Sequence, residues 1–329
     1  MRVLRASHLL GVVVCGVFLA AGGTLPAIAQ TYPNQTVKVV VPFPAGGGID
    51  IIARVIVPKL SEALGQSVIV ENRAGAGGAV AAAAVAKAAP DGYTLLLGTG
   101  STHGTNFVVS PKLGYDPVRD FVTIVPVGTS PLVLITHPSV PAKSVEELIA
   151  LARAKPDELR YASFGTGGYN HLAGELFNAM AKIKTIHVPY RGSAPALNDL
   201  ISGQVHYSLE SIQAAIGQIQ AGTIRLLAVS GEKRSVALPD TPTVSEAGLP
   251  GYAAATWNGI FAPAGTPNSV VQLVNSKLNP ILADPEVKAA LLKLGVETLG
   301  GTPEMLAAMV QSDIRKWTEI ARERNIRID

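Results

Sequence analysis

Val37-Lys38-Val39-Val40-Val41-Pro42-Phe43-Pro44-Ala45-Gly46-Gly47-Gly48-Ile49-Asp50 reads as a buried strand, a glycine loop and the start of a helix. Four of its first five residues are Val, which favours a strand; three consecutive Gly follow, and the apolar-periodic run over 49–64 carries Asp50 in its first turn. The first turn of a helix leaves backbone N–H groups unpaired at the positive end of the helix dipole. Glycines let a guest approach that end closely, so the natural guest is an anion, most simply a carboxylate or a phosphate.

The residues before this stretch form a positively charged start (Arg2, Arg5), an apolar run over 9–21 and the small-residue pattern Ala27-Ile28-Ala29. That is the layout of an export signal, with cleavage expected after Ala29 and a periplasmic destination. Gly22, Gly23, Thr24 and Pro26 interrupt the run where a cleavage region belongs, which argues against an uncleaved anchor. The single cysteine, Cys15, lies inside this segment, so the mature chain has no thiol chemistry, disulfide or cysteine metal ligand. Val14 before Cys15 does not suit a lipoprotein signal. Loss of Arg2 and Arg5 takes the 27 basic residues to 25 against 24 acidic ones, a formal charge of +1 that gives no argument for nucleic acid. About 300 residues, 48% hydrophobic but only 5% aromatic, exceed what one core usually holds, so two lobes are expected.

Moving outward, 66–71 (QSVIVE) reads as a second strand, the glycine turn 72–78 leads into an alanine helix, and 93–97 is a third strand running into Gly98-Thr99-Gly100-Ser101-Thr102. The strand, glycine loop, helix order predicts parallel α/β structure with its loops at one sheet edge, where open sheets bind ligands. Two β-rich runs, 122–125 and 132–136, flank Gly128-Thr129-Ser130-Pro131, and the first crossing between lobes is placed there. The second lobe repeats the opening device: 159–163 as strand, Phe164-Gly165-Thr166-Gly167-Gly168 as loop, and a helix over about 170–181. Ser144 and Ser193 have the spacing of helix caps, 239–250 is irregular, and Thr266-Pro267 and Thr302-Pro303 announce two of three C-terminal helices. If 296–299 rejoins the first sheet, the chain crosses twice. The expected organisation is a leader at 1–29, a first lobe of 30–130 plus 253–329, and a second lobe of 131–252.

The glycine loops lack nucleotide-binding spacing: no G-x-G-x-x-G completes after Gly98, and none ends in Gly-Lys-Ser/Thr. Ser163, Ser101, His103 and His171 raise the alternative of a secreted hydrolase, but no G-x-S-x-G elbow is present. His171 and Glu175 share a helix face without a third ligand, so no metal site is expected, and the plain reading is a contact between the two. Asp50 suits either a ligand amine or an ion pair with Arg54 at i+4, and Arg191 beside Tyr190 suits either a ligand carboxylate or a salt bridge to Asp199. Trp257 and Tyr252 read as pocket wall or as plain packing.

Several segments together resemble one known family. Pro42-Phe43-Pro44-Ala45-Gly46-Gly47 with Asp50, Glu71-Asn72-Arg73 with Gly75-Ala76-Gly77-Gly78, Pro90-Asp91-Gly92-Tyr93-Thr94-Leu95, and His187-Val188-Pro189-Tyr190-Arg191-Gly192-Ser193 are similar to the solute-binding proteins of tripartite tricarboxylate transporters, the TctC or Bug family. Leu238-Pro239-Asp240-Thr241-Pro242 and Trp257-Asn258-Gly259 extend the resemblance, which spans the mature chain in order. It implies a two-lobed periplasmic binding protein fold of type II character, each lobe a mixed, mostly parallel sheet flanked by helices. It also implies a cofactor-free, non-enzymatic protein that closes on an organic acid (a di- or tricarboxylate, an acidic amino acid or an aromatic acid) and delivers it to membrane permease subunits. A ligand-presenting sensor subunit is the other partner reading. The carboxylate would be held between Phe43, Pro44, Ala45, Gly46 and Gly47 in one lobe and Ser163, Gly165, Thr166 and Gly167 in the other, with Thr99, Ser101 or Thr102 adding hydroxyls. Asp50, His171, Tyr190 and Arg191 complete the candidate set. The chain departs from the family pattern at Ala74 (often Pro), His206 (usually Asp) and Glu210 (commonly Asp).

Overall fold

The computed structural model describes residues 32–110 and 113–323; the leader and Cys15 lie outside them. Strand β1 (Val37–Val41) enters helix α1 (Gly48–Leu64), followed by β2 (Val68–Asn72), α2 (Ala79–Ala86), β3 (Thr94–Thr99), a tight turn (Ser101–Thr105) and the short α3 (Asn106–Val109). β4 (Phe121–Thr136) leads to α4 (Val145–Ala154), β5 (Arg160–Ser163), α5 (Tyr169–Ala181), β6 (Ile186–Pro189), α6 (Ser193–Ile201), β7 (Tyr207–Ser211), α7 (Ile212–Gln220) and β8 (Arg225–Val229). β9 (Ala255–Pro263), α8 (Asn268–Ala283), α9 (Pro285–Lys293), β10 (Glu297–Thr298) and α10 (Pro303–Glu323) complete the chain.

The strands order as β2-β1-β3-β9-β4-β7-β5-β6, with β10 and β8 also on β4. β1 pairs in parallel with β2 and β3, and β5 in parallel with β6 and β7, whereas β9 runs antiparallel to both β3 and β4. The two runs expected as separate strands are one 16-residue strand. Pro126 lacks the N–H that a central strand uses, and the chain absorbs it at a register shift between Pro126 and Gly128. β4 pairs with β9 as far as Pro131↔Ala255, and from Leu132↔Ser211 onward with β7, so one continuous strand carries the chain from the first lobe into the second.

Valine-rich strands are consistent with burial on both faces. Val39 packs with Ile52, Ile56 and Leu60 of α1, and its neighbour Val40 packs on the opposite face with Ala81, Leu96 and Phe261. The second lobe repeats this, with Leu134 on Leu148, Leu172 and Phe177 and Val133 on Leu197, Leu200 and Ile212. Each fully buried aliphatic side chain contributes about 1.5–3 kcal/mol. Ser144 caps α4 by accepting from the Glu147 N–H, and Thr302 does the same for the Met305 N–H of α10. Pro267 sits at the cap of α8 rather than in its first turn. Helix α10 belongs to both lobes: Leu306 and Val310 pack on Phe261 and Trp257 of β9, while Trp317 lies in the second-lobe core beside Tyr169 at 5.1 Å. Among the described residues no helix is long and apolar enough to cross a membrane.

Candidate functional site

Several faces of the described residues are concave, among them a recess of about 490 Å³ beside Phe107, Tyr115 and Arg119. A groove of about 400 Å³ runs between the start of β4, α8 and α10 on the first lobe, lined by Phe121, Val271, Glu304 and Val310 among others. A smaller cavity, about 30 Å³, lies between the lobes, and it is here that helix starts converge. Gly48 and Ile49 begin α1, Ser101 follows β3, Ser193 begins α6, and Ser211 and Gln213 flank the start of α7. Ser130 and Leu132 of β4 with Thr256 of β9 come from the two crossing strands. Phe43 and Phe164 complete the wall edge to face, 5.2 Å between ring centres. None of these lining residues is charged, and all but Leu132, Ile49, Gly48 and the two Phe carry hydroxyl or amide groups.

On the first-lobe side the glycine loop is held from behind. Asp50 is buried; its Oδ2 accepts from the Gly46 N–H at 2.9 Å and from Arg54 Nε at 2.8 Å, and its Oδ1 accepts from Asn72 Nδ2 at 3.0 Å. Asn72 also donates to the Phe43 carbonyl. Burial would raise the Asp50 pKa, but Arg54, Gly46 and Asn72 outweigh it and hold the carboxyl below its usual range. The Gly47 N–H is used by the Pro44 carbonyl. The amides left for a guest are therefore those of the first turn of α1, next to the cavity. Gly48 must be small: a Cβ there would lie 2.6 Å from Ser211 Oγ and 3.0 Å from Gln213 Oε1 across the cleft.

On the second-lobe side the polar groups are buried side chains. Glu210 is fully buried, and its Oε1 accepts from Ser193 Oγ at 2.7 Å, from the Ser211 N–H at 2.7 Å and from Ser211 Oγ at 3.2 Å; its Oε2 has no partner. Burial pushes this carboxyl up to about 6 against the pull of those donors. Gln213 Nε2 is likewise buried without a partner. Ser163 Oγ meets His187 Nε2 at 2.7 Å and accepts from the Gly165 N–H, and the His187 ring stacks on His171 at 3.8 Å. Burial lowers both rings, His171 to about 3 with help from His187, and His187 to about 4, so the stacked pair is neutral.

The lobes meet across this cavity. Ser101 Oγ accepts from the Tyr169 N–H at 2.9 Å and Thr105 Oγ1 donates to the Gly167 carbonyl at 2.8 Å. Gly165 approaches Gly77 so closely that a Cβ at Gly165 would stand 2.6 Å from the Gly77 nitrogen. Behind the Ser101 turn, Asp313 of α10 is packed against Gly104, and burial pushes its carboxyl up to about 7 although Trp257, Lys316 and Trp317 pull the other way.

Of the residues singled out from sequence, Phe43, Thr99 and Ser101 line the cavity. Pro44, Ala45, Gly46 and Gly47 form the outer bend of the loop, with Ala45 and Gly46 exposed and Pro44 packed on Gly192 of the other lobe. Thr99 and Thr102 spend their hydroxyls on each other's backbone in the turn. Ser163, Gly165, Thr166 and Gly167 form the seam rather than the lining, and only their neighbour Phe164 faces the cavity. Asp50 takes the structural role, since its carboxylate is fully engaged behind the loop. His171 does not pair with Glu175: its Nδ1 accepts from the Gly167 N–H, and Glu175 accepts instead from the Tyr161 hydroxyl. Tyr190 donates to Asp199 at 2.6 Å and Arg191 is exposed, so neither the cleft nor the expected Arg191–Asp199 bridge engages the guanidinium. Trp257 and Tyr252 are core residues. Ser193 does not cap α6 but binds Glu210. Sequence reasoning missed Ser130, Ser211, Gln213 and Thr256; the serine at the β7–α7 junction, Ser211, was the only available signal, because a strand end running into a helix is where the first two loops were sought.

Comparison with known proteins places these features in context. The profile described as "Tripartite tricarboxylate transporter family receptor" (TctC) matches residues 52–326. Protein BugT of Bordetella pertussis is 37% identical over 312 residues, covering 94% of this chain and 96% of its own. The solved structure of R. palustris Rpa4515 with adipate superposes with a TM-score of 0.87 at 39% identity, covering 89% of this chain and 98% of that one. MatC from Rhodopseudomonas palustris with bound malate gives 0.85 at 36% identity, with 88% and 99% covered. The two-lobed fold, the helix starts gathered between the lobes and these matches lead to one assignment: the chain belongs to the TctC/Bug family of solute-binding proteins.

Proposed function

We propose that this protein captures a small organic carboxylate between its lobes and hands it to a membrane permease of the tripartite tricarboxylate type, without catalysing a reaction on it. The observation that carries this reading is the interlobe cavity at the free start of α1, lined by hydroxyls, amides and no charged side chain. Neutral donors hold an anion without burying a counter-charge, and closure strengthens them by excluding water. A cavity of about 30 Å³ has room for roughly two water molecules. An organic acid therefore needs the lobes to part along the β4 and β9 crossings, and contacts such as Ser101 with Tyr169 then favour the closed, loaded state. Export with cleavage after Ala29 belongs to the same reading, as does a periplasmic site of action.

The adipate and malate held by the two R. palustris relatives support a carboxylate class. A thermal-shift screen of organic acids on the purified protein tests it. Stabilisation of several degrees by one or more di- or hydroxycarboxylates at millimolar concentration is expected, because a ligand at 100 times its Kd adds about 2.7 kcal/mol. No response to any carboxylate, with a sugar or nucleotide stabilising instead, would overturn the reading.

A further inference from the structure

The serines on the two sides of the cavity are wired in opposite senses. Ser101 Oγ accepts from the Tyr169 N–H, which leaves its own O–H free to donate toward the cavity. Ser193 and Ser211 spend their O–H groups on Glu210 Oε1, which leaves their oxygens as acceptors. Glu210 Oε1 remains an acceptor whether or not the acid carries a proton on Oε2, so this polarity does not depend on pH. Beside them Gln213, a residue only 4% exposed, has its Nε2 buried without a partner and supplies donors on the same wall. A buried amide donor left unmatched costs free energy that a suitable ligand group recovers.

We infer that the second-lobe wall, Ser193, Ser211 and Gln213 with Glu210 fixing the serines from behind, selects carboxylates that also carry a hydroxyl group. This rests on the carboxylate reading above and deepens it. A hydroxyl is the simplest group that donates to the serine oxygens while accepting from the Gln213 amide. An ammonium donates but leaves Gln213 unmatched, and a bare methylene leaves both unmatched. Glu210 acts as a positioning residue: its carboxylate does not line the cavity, and its effect reaches a ligand through the two hydroxyls.

Calorimetric titration with matched acids tests this: succinate, malate and aspartate, then glutarate, 2-hydroxyglutarate and glutamate. At whichever chain length binds better, the hydroxy acid is expected to bind about tenfold tighter than the unsubstituted acid, with the amino acid between them. In Glu210→Gln the amide can donate to the serines and turn them into donors, so the hydroxy-to-unsubstituted ratio should fall to about one. Gln213→Leu should lower the same ratio without touching the buried acid, and it carries the test if circular dichroism shows that Glu210→Gln does not fold. A general loss of affinity with the ratio unchanged in the folded variants would overturn the inference, as would equal binding of hydroxy and unsubstituted acids by the wild type, or tightest binding of the amino acid. Failure of every acid to bind would instead count against the carboxylate reading itself.

Discussion

The two walls of the interlobe cavity reach a similar end by different means. The first-lobe wall is mostly backbone: a glycine loop, the open first turn of α1, and one carboxylate, Asp50, locked behind it by Gly46, Asn72 and Arg54. The second-lobe wall is side-chain chemistry: Glu210 answers its donors with no cation nearby, and hydroxyls bonded to it reach the surface. Burial pushes Glu210 up to about 6 against the pull of its serine donors, whereas at Asp50 burial is outweighed by Arg54, Gly46 and Asn72, which hold the carboxyl below its usual range. Under the function proposed above, the first wall would hold the anion on backbone donors, whereas the second can vary its polarity one side chain at a time.

The largest expected effect comes from filling the gap between the walls. Gly48→Val would drive a side chain into Ser211 and Gln213 and block closure; overpacking of this kind costs about 1–3 kcal/mol, which corresponds to roughly 5- to 150-fold weaker ligand binding by calorimetry, with the unliganded fold intact. Next is Asp50→Ala, expected to cost about 2 kcal/mol in urea unfolding because three donors lose a buried acceptor. A depressed folded-state pKa contributes stability that is present above the unfolded value near 4 and fades as pH falls, so the cost of Asp50→Ala should shrink toward pH 3. Asp313, in the helix that ties the walls together, has the opposite sign. Its carboxyl titrates at about 7 in the fold and near 4 in the unfolded chain, so its favourable contribution is complete below pH 4 and is lost as pH rises toward 7. Asp313→Asn should therefore raise the unfolding free energy from urea denaturation at pH 8 by about 1–2 kcal/mol and change little at pH 4. The smallest effect belongs to Arg191→Ala: an exposed guanidinium outside the cavity should change ligand affinity less than threefold, and a tenfold loss would place the carboxylate at the lip instead.

Much of the first wall was legible in the sequence. Valine runs, consecutive glycines and a first-turn acid are local signals, and β1, α1, β5 and α5 lie where those signals put them to within a residue or two. The two-lobed fold followed from repetition of that device and from the family resemblance. What stayed hidden was long-range. Gly128-Thr129-Ser130-Pro131 was read as separating two strands, yet tertiary pairing with β9 drew it into one strand and brought Ser130 and Thr256 to the cavity. Ser163 and His171 fell at the correct strand end and helix start, but their side chains turned inward to His187 and Gly167. Glu210 was visible only as a departure from the family pattern, since nothing local announces that a strand-end acid will collect both the next serine in the chain and one from the start of α6.

The central claim is that a ligand carboxylate sits on neutral donors at the first-lobe wall. A crystal structure of the protein with the best organic acid from the thermal-shift screen tests it most directly. Carboxylate oxygens are expected at about 2.7–3.2 Å from first-turn amides of α1 and from Ser101 Oγ, with Arg191 still in solvent. A carboxylate clasped by Arg191, or a ligand seated outside the interlobe cavity, would contradict it.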